Sequence, residues 1–228
     1  QIGSNQELIF TNPSLVYPTE GNSITLAGYY PRQSKGTAYT INNNSLEFTL
    51  TGEEDLMHAA PINAGNKKTP EAVNLNFTHK LTSVKFNLVN GTENMLPDGN
   101  ISITTDAPNS GSLDLSNGIV TIDQTSTTTF TLSTDINANT MASKETISVN
   151  GNLMLFPKLA YTFKLKIGDQ SYNIQIDTTN SPAWEAGISY LLTITIKKLN
   201  TLKSFTKSDN KAGSSSDSFV QGNIIQIK

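Results

Sequence analysis

Phe163-Lys164-Leu165-Lys166-Ile167-Gly168-Asp169-Gln170-Ser171-Tyr172-Asn173-Ile174-Gln175-Ile176 reads as one antiparallel hairpin. Apolar and polar residues alternate on both sides of the link Gly168-Asp169-Gln170-Ser171. A period of two gives each arm one face for a core and one for water. Glycine and aspartate between such arms favour a tight reversal. The same period recurs outward along the chain. Val84, Phe86 and Leu88 alternate with Lys85 and Asn87, while Tyr190, Leu192, Ile194 and Ile196 form the longest stripe, opposed by Thr193, Thr195 and Lys197.

Further strands are expected near residues 8–10, 23–29, 37–41, 46–51, 73–78, 101–105, 127–132, 146–149 and 153–156. Turn clusters separate them, among them Asn42-Asn43-Asn44, Pro97-Asp98-Gly99-Asn100 and Pro108-Asn109-Ser110-Gly111. No segment keeps the apolar spacing of a long helix. Many short strands punctuated at roughly 8–12 residues predict an all-β fold of antiparallel sandwiches.

A chain of 228 residues has room for one large sandwich or two small ones. Residues 60–70 hold Pro61, Gly65, Lys67, Lys68 and Pro70, a composition that predicts an inter-domain link rather than a strand. The expected division is therefore an N-terminal sandwich over residues 1–73 and a C-terminal one over 74–228. Residues 204–218 carry lysine, serine, glycine and aspartate with little to bury, which predicts a flexible loop. Apolar residues return over 219–227, at Phe219, Val220, Ile224, Ile225 and Ile227 around Gly222. This terminal strand has no local hairpin partner, so it must pair at long range or with another chain.

Composition narrows the function classes. Hydrophobic residues make up 36% and charged residues 15%, leaving threonine, serine and asparagine to supply the polar surface, as a strand-rich protein needs. A net charge of −3, with Arg32 as the only arginine, argues against nucleic acid, whose binding depends on a concentrated basic face. The absence of cysteine removes disulfides, thiolate metal sites and thiol nucleophiles. No apolar run is long enough to span a bilayer, and residues 1–7 lack the character of a signal peptide. Either the protein is cytosolic or its export signal has been removed.

Little catalytic chemistry is visible. His58 and His79 are the only imidazoles, and with no cysteine to complete a zinc set both are expected to be partly buried and hydrogen-bonded. Glu53-Glu54-Asp55 lacks the alternating spacing of a calcium loop and reads as a solvated turn. The Gly-x-Ser-x-Gly elbow and both glycine-rich phosphate motifs are absent, so neither a hydrolase nor a nucleotide cofactor is expected. Tyr29, Tyr30 and Trp184 could stack on sugar rings if exposed, which defines a glycan-binding alternative; aromatic residues of this kind more often pack in a core.

Three segments, in order, resemble the fimbrillin-like proteins of the Bacteroidales, the FimA-type and Mfa-type pilus subunits. The first is Tyr17-Pro18 followed by Ile24-Thr25-Leu26-Ala27-Gly28-Tyr29-Tyr30-Pro31. The second joins Asp55-Leu56-Met57-His58-Ala59 to Val73-Asn74-Leu75-Asn76-Phe77-Thr78-His79-Lys80-Leu81-Thr82-Ser83-Val84. The third is Trp184-Glu185-Ala186-Gly187-Ile188-Ser189-Tyr190, leading into residues 192–198. The His79-Lys80-Leu81 element is the most specific. Phe77, His79 and Leu81 would share one strand face, placing the imidazole in or beside the core. Trp184 would cap the end of a sandwich, with Gly187 turning the chain into the strand of Tyr190.

The resemblance implies an exported lipoprotein of two transthyretin-like sandwich domains, with a signal peptide and lipidated cysteine upstream of Gln1 anchoring it in the outer membrane. It implies a structural or accessory role in a fimbrillin-type (type V) pilus on the cell surface, with other pilus subunits as partners and a host or bacterial surface ligand where the subunit is adhesive. In stalk subunits of the family a trypsin-like protease removes an amino-terminal strand, and a strand from the next subunit fills the groove. Neither an enzymatic activity nor a cofactor is implied. The chain departs from the family in its short first domain, in which one or more initial strands are expected to be absent. It also lacks the family's tryptophan near the end, for which Phe219 is the expected substitute. Arg32 does not stand where the family's processing site falls.

Overall fold

The computed structural model describes residues 17–19, 21–31, 40–174 and 184–196, together with the backbone of 219–220. The expected strand at 8–10, the loop at 204–218, Arg32, and Gly222, Ile224, Ile225 and Ile227 lie outside the described residues.

The fold is all-β. The hairpin that anchored the sequence reading forms as expected, from β11 (Phe163–Ile167) and β12 (Gln170–Ile174), with Ile167 opposite Gln170. Phe163, Leu165, Ile167, Tyr172 and Ile174 point into the core. β11 pairs in turn with β7 (Asn100–Asp114), which is followed by β8 (Val120–Asn137). β7 has β8 along one edge, while its other edge takes β11 at residues 101–105 and β3 (Ser45–Thr49) at 110–114, end to end. β2 (Thr40–Asn42) completes that side, and β14 (Phe219–Val220) runs parallel to β12 at Asn173–Ile174.

The second layer is built on β6 (Thr82–Asn90). β13 (Ser189–Ile196) lies parallel along one edge of it, and β10 (Leu153–Leu155) and β9 (Thr146–Ser148) occupy the other. Strict alternation buries Val84, Phe86 and Leu88 against the first sheet, and Phe86 meets Phe163 edge-on at 5.2 Å between ring centroids, a favoured aromatic geometry. A third, smaller sheet has the order β1 (Thr25–Tyr30), β4 (Met57–Asn63), β5 (Phe77–His79).

Two local expectations are corrected. Residues 60–63 belong to β4, although Pro61 lacks a ladder donor. The pairing steps from Ala59–Gly28 to Ile62–Leu26, so Ala60 and Pro61 fall in a bulge, where no N–H is required. Likewise Pro108-Asn109-Ser110-Gly111 is not a turn. It lies within β7, at a register shift between Pro108 and Ser110. The reversal into β8 comes later, at residues 115–119, where Gly118 has φ +73°.

The β3–β7 and β4–β5 ladders both join residues on opposite sides of position 73, the expected domain boundary. Residues from both sides also share one buried cluster, Leu46 and Phe48 lying with Phe86 and Phe163.

One buried polar group shows how tightly the interior is satisfied. Asn90 is fully buried; its amide donates to the carbonyls of Met141 (3.0 Å) and Asn94 (3.2 Å) and accepts from the Thr92 N–H and hydroxyl. Replacing it with alanine strands those partners, and Asn90→Ala is expected to cost about 2 kcal/mol in urea unfolding.

Candidate functional site

The sequence-selected motifs converge on the seam between the three-stranded sheet and the sandwich. Tyr29 lies opposite His58, and His58 opposite Thr78; one step along, Tyr30 lies opposite Met57 and Met57 opposite His79. Directly opposed residues share a face, and neighbouring rows point to opposite faces. In the Tyr29-His58-Thr78 row the first two turn inward, His58 being 3% exposed and Tyr29 packing on the core, while Thr78 on the edge strand stays exposed. The His58 Nε2–H donates to the Leu115 carbonyl at 3.0 Å, tying β4 to the β7–β8 turn. A carbonyl can only accept, so this bond places the proton on Nε2.

That turn is shaped by Asp114, whose carboxylate accepts from the Ser116 N–H (2.8 Å), the Ser116 hydroxyl (2.6 Å) and the Asn117 amide (2.6 Å). The Ser116 hydroxyl, followed by its backbone N–H, holds the Asp114 carboxyl below its ordinary value of 3.8. A carboxyl lowered in the folded state contributes stability that is present above the unfolded pKa and fades as pH falls through the folded one. The difference in urea midpoint between the native chain and Asp114→Asn is therefore expected to be largest near neutrality and to shrink below pH 3.8.

The Tyr30-Met57-His79 row faces outward. Tyr30 is 48% exposed and Pro31 follows it. His79 lies on the surface with Nδ1 2.6 Å from the Asp55 carboxylate. Phe77, 42% exposed, lays its ring over Gly28, where a Cβ would meet the ring tip at 2.6 Å. The expectation that Phe77, His79 and Leu81 share a core-facing strand is corrected here. The β4–β5 ladder ends at His79, and the chain then changes sheets. Lys80 gives its N–H to the Leu56 carbonyl at 2.7 Å, and Leu81 enters the core on the far side. Of the two histidines, His58 is the buried one.

The third motif closes the seam. Gly187 N–H donates to the Leu81 carbonyl at 2.8 Å, and the Ile188 carbonyl accepts from the Ser83 N–H at 3.0 Å and from the Thr82 hydroxyl. Trp184 is buried among rings, 5.0 Å from Tyr190, 6.3 Å from Tyr161 and 6.4 Å from Phe163. Its own carbonyl accepts from the Lys158 N–H, while the Tyr190 hydroxyl accepts from the Glu185 N–H at 3.1 Å. Burial pushes the neighbouring Tyr161 phenol far above its ordinary value; its hydroxyl donates to the Phe156 carbonyl at 2.6 Å.

The seam's chemistry is that of a joint. His58 and His79 point to opposite faces of the small sheet, and among the described residues no group of three or more histidine or acidic side chains is placed to hold a metal ion. Among those residues no hydroxyl is hydrogen-bonded to the Nε2 of His79. Of the three aromatics considered for stacking on sugars, Trp184 is buried, Tyr29 is partly buried, and only Tyr30 is well exposed. Phe219 and Val220 lie elsewhere, on the β12 edge. Sequence reasoning missed the partner turn at 115–119, although Ser116-Asn117-Gly118 carries a turn signal.

A family model described as fimbrillin-like matches residues 2–209. No curated protein matches the chain. A crystal structure from Bacteroides uniformis ATCC 8492, provisionally named a cell adhesion protein, superposes with a TM-score of 0.55 at 20% identity, over 80% of this chain and 71% of that one. One from Bacteroides ovatus ATCC 8483, named in the same way, gives 0.52 at 15% identity, over 84% and 69%. At such identities the likeness is one of fold.

Proposed function

Because the chain belongs to the fimbrillin-like family, we propose that it is a structural or accessory subunit of a fimbrillin-type pilus, displayed at the cell surface and joined to other subunits by β-strand addition. The observation that carries this reading is the family match across residues 2–209, the span that contains all three motifs. The geometry supports it, because those motif residues are spent on packing and backbone bonding at the seam. Phe219 and Val220, at the start of the apolar terminal segment, already add in parallel to the β12 edge. A segment that can lie on a sheet edge of its own chain has the backbone chemistry to lie on an edge of the next. In this reading the protein is anchored in the outer membrane or incorporated in the fimbrium after export, as two sandwich domains, with no enzymatic activity and no cofactor.

An excess of a synthetic peptide of residues 219–227, present during assembly, is expected to shorten the ladder of oligomers seen on unboiled detergent gels. A scrambled peptide should leave it unchanged. A ladder indifferent to both would count against strand addition by this segment.

A further inference from the structure

The longest described strand, β8, has one side with no strand partner among the described residues. Among the described residues β8 pairs with β7 alone, and no backbone group of residues 127–133 has a partner there beyond that ladder. A recess of about 480 Å³ is lined by residues 131–133 together with Glu53 and residues 150–152. Two bulges bound this stretch. Asp123 to Thr127 spans four residues against two on β7, and so does Ser133 to Asn137. Between them Thr127-Thr128-Thr129-Phe130-Thr131-Leu132-Ser133 pairs regularly with residues 102–108.

Exposed edges are usually protected by charge, proline or a bulge. Residues 127–133 contain no charged residue and no proline, and the bulges stand outside them. The segment is also self-complementary. If two copies run antiparallel about Phe130, Thr127 lies opposite Ser133 and Thr129 opposite Thr131. These four side chains are all exposed in one chain, and pairs of hydroxyl residues are favourable cross-strand neighbours. Phe130 and Leu132, buried in each copy, keep the same inward face across the join, as a strand period of two requires.

We propose that residues 127–133 form a lateral docking edge for a second copy of this chain, joining two β8 strands antiparallel about a two-fold axis at Phe130. A two-fold contact uses the same patch on both subunits. Seven residues per strand make a contact smaller than a standard interface, so the dimer is expected to be weak, with a dissociation constant at or above about the micromolar range. This association is separate from strand exchange by the terminal segment.

The test exploits the register. Thr127→Glu with Ser133→Glu sets carboxylates opposite one another at both ends of the contact, with Glu53 nearby. Thr127→Lys with Ser133→Glu sets opposite charges there instead. Sedimentation equilibrium of the full chain up to about 0.5 mM is expected to show a monomer–dimer equilibrium, weakened about tenfold or more by the first pair and restored by the second. Thermal unfolding of each variant checks that the monomer is intact. Hydrogen exchange of the native chain gives a reading without substitution, since amides within 127–133 should exchange more slowly as concentration rises. A native chain that stays monomeric throughout would overturn the proposal. So would a dimer that responds alike to both variants, or whose amides at 127–133 are indifferent to concentration.

Discussion

Trp184→Ala is expected to lower stability by about 3–5 kcal/mol, the largest effect of any single substitution considered. Trp184 is 6% exposed and touches three rings that belong to different parts of the sandwich: Tyr161, Phe163 at the start of β11, and Tyr190 in β13. Removing the indole deletes buried apolar area and leaves a void that those rings, each held by its own strand or hydrogen bond, can fill only in part. In a domain of this size the loss corresponds to a fall in Tm of roughly 10 °C. Trp184→Phe keeps most of the ring area and should recover more than half of the loss. Because it is the only tryptophan, Trp184 also reports on itself. Native emission should be blue-shifted, and simple sugars should leave it unquenched. If alanine proved neutral, the burial of Trp184 and the seam built on it would be wrong.

Gly118→Ala is expected to cost about 2–4 kcal/mol, beginning with the roughly 1–2 kcal/mol of holding a side chain in the left-handed region. Gly118 has φ +73°, and a Cβ there would lie 2.5 Å from His58 Nδ1 and 2.8 Å from Lys80 Nζ. The lysine can swing away, but the imidazole is buried and fixed through Nε2 to the Leu115 carbonyl. The methyl must therefore push His58, and with it β4, off the β7–β8 turn. A double-mutant cycle separates strain from collision. Adding His58→Ala removes the ring that the methyl strikes, so the two costs should sum to more than the double variant shows. Strict additivity would mean that turn and histidine are not in contact.

The strands most legible in the sequence are those that bury one face. β6, β11, β12 and β13 alternate cleanly because each has a core on one side and water on the other. What stayed hidden depended on partners far along the chain. Pro61 and Pro108 looked like strand breakers because their missing donors matter only where a ladder bond is due, and both stand at register shifts, Pro61 in a bulge of its own strand and Pro108 opposite extra residues on β8. The parallel pairing of β6 with β13 joins segments about a hundred residues apart, and nothing local specifies it. The motif residues could be picked out by resemblance, but their convergence could not. His79 was expected in the core because period two was carried through Lys80, where the chain in fact leaves one sheet for another. The imidazole that is buried, His58, owes its position to a turn 57 residues further on.

Strand addition by the terminal segment is the central claim, and the most direct test follows assembly itself. The full-length precursor is treated with a trypsin-like protease and followed by electron microscopy and unboiled detergent gels, beside a form lacking residues 219–228. The account predicts fibres and a detergent-resistant ladder from the intact protein, and neither from the shortened one. A stable monomer from both, or fibres that survive the deletion, would contradict it.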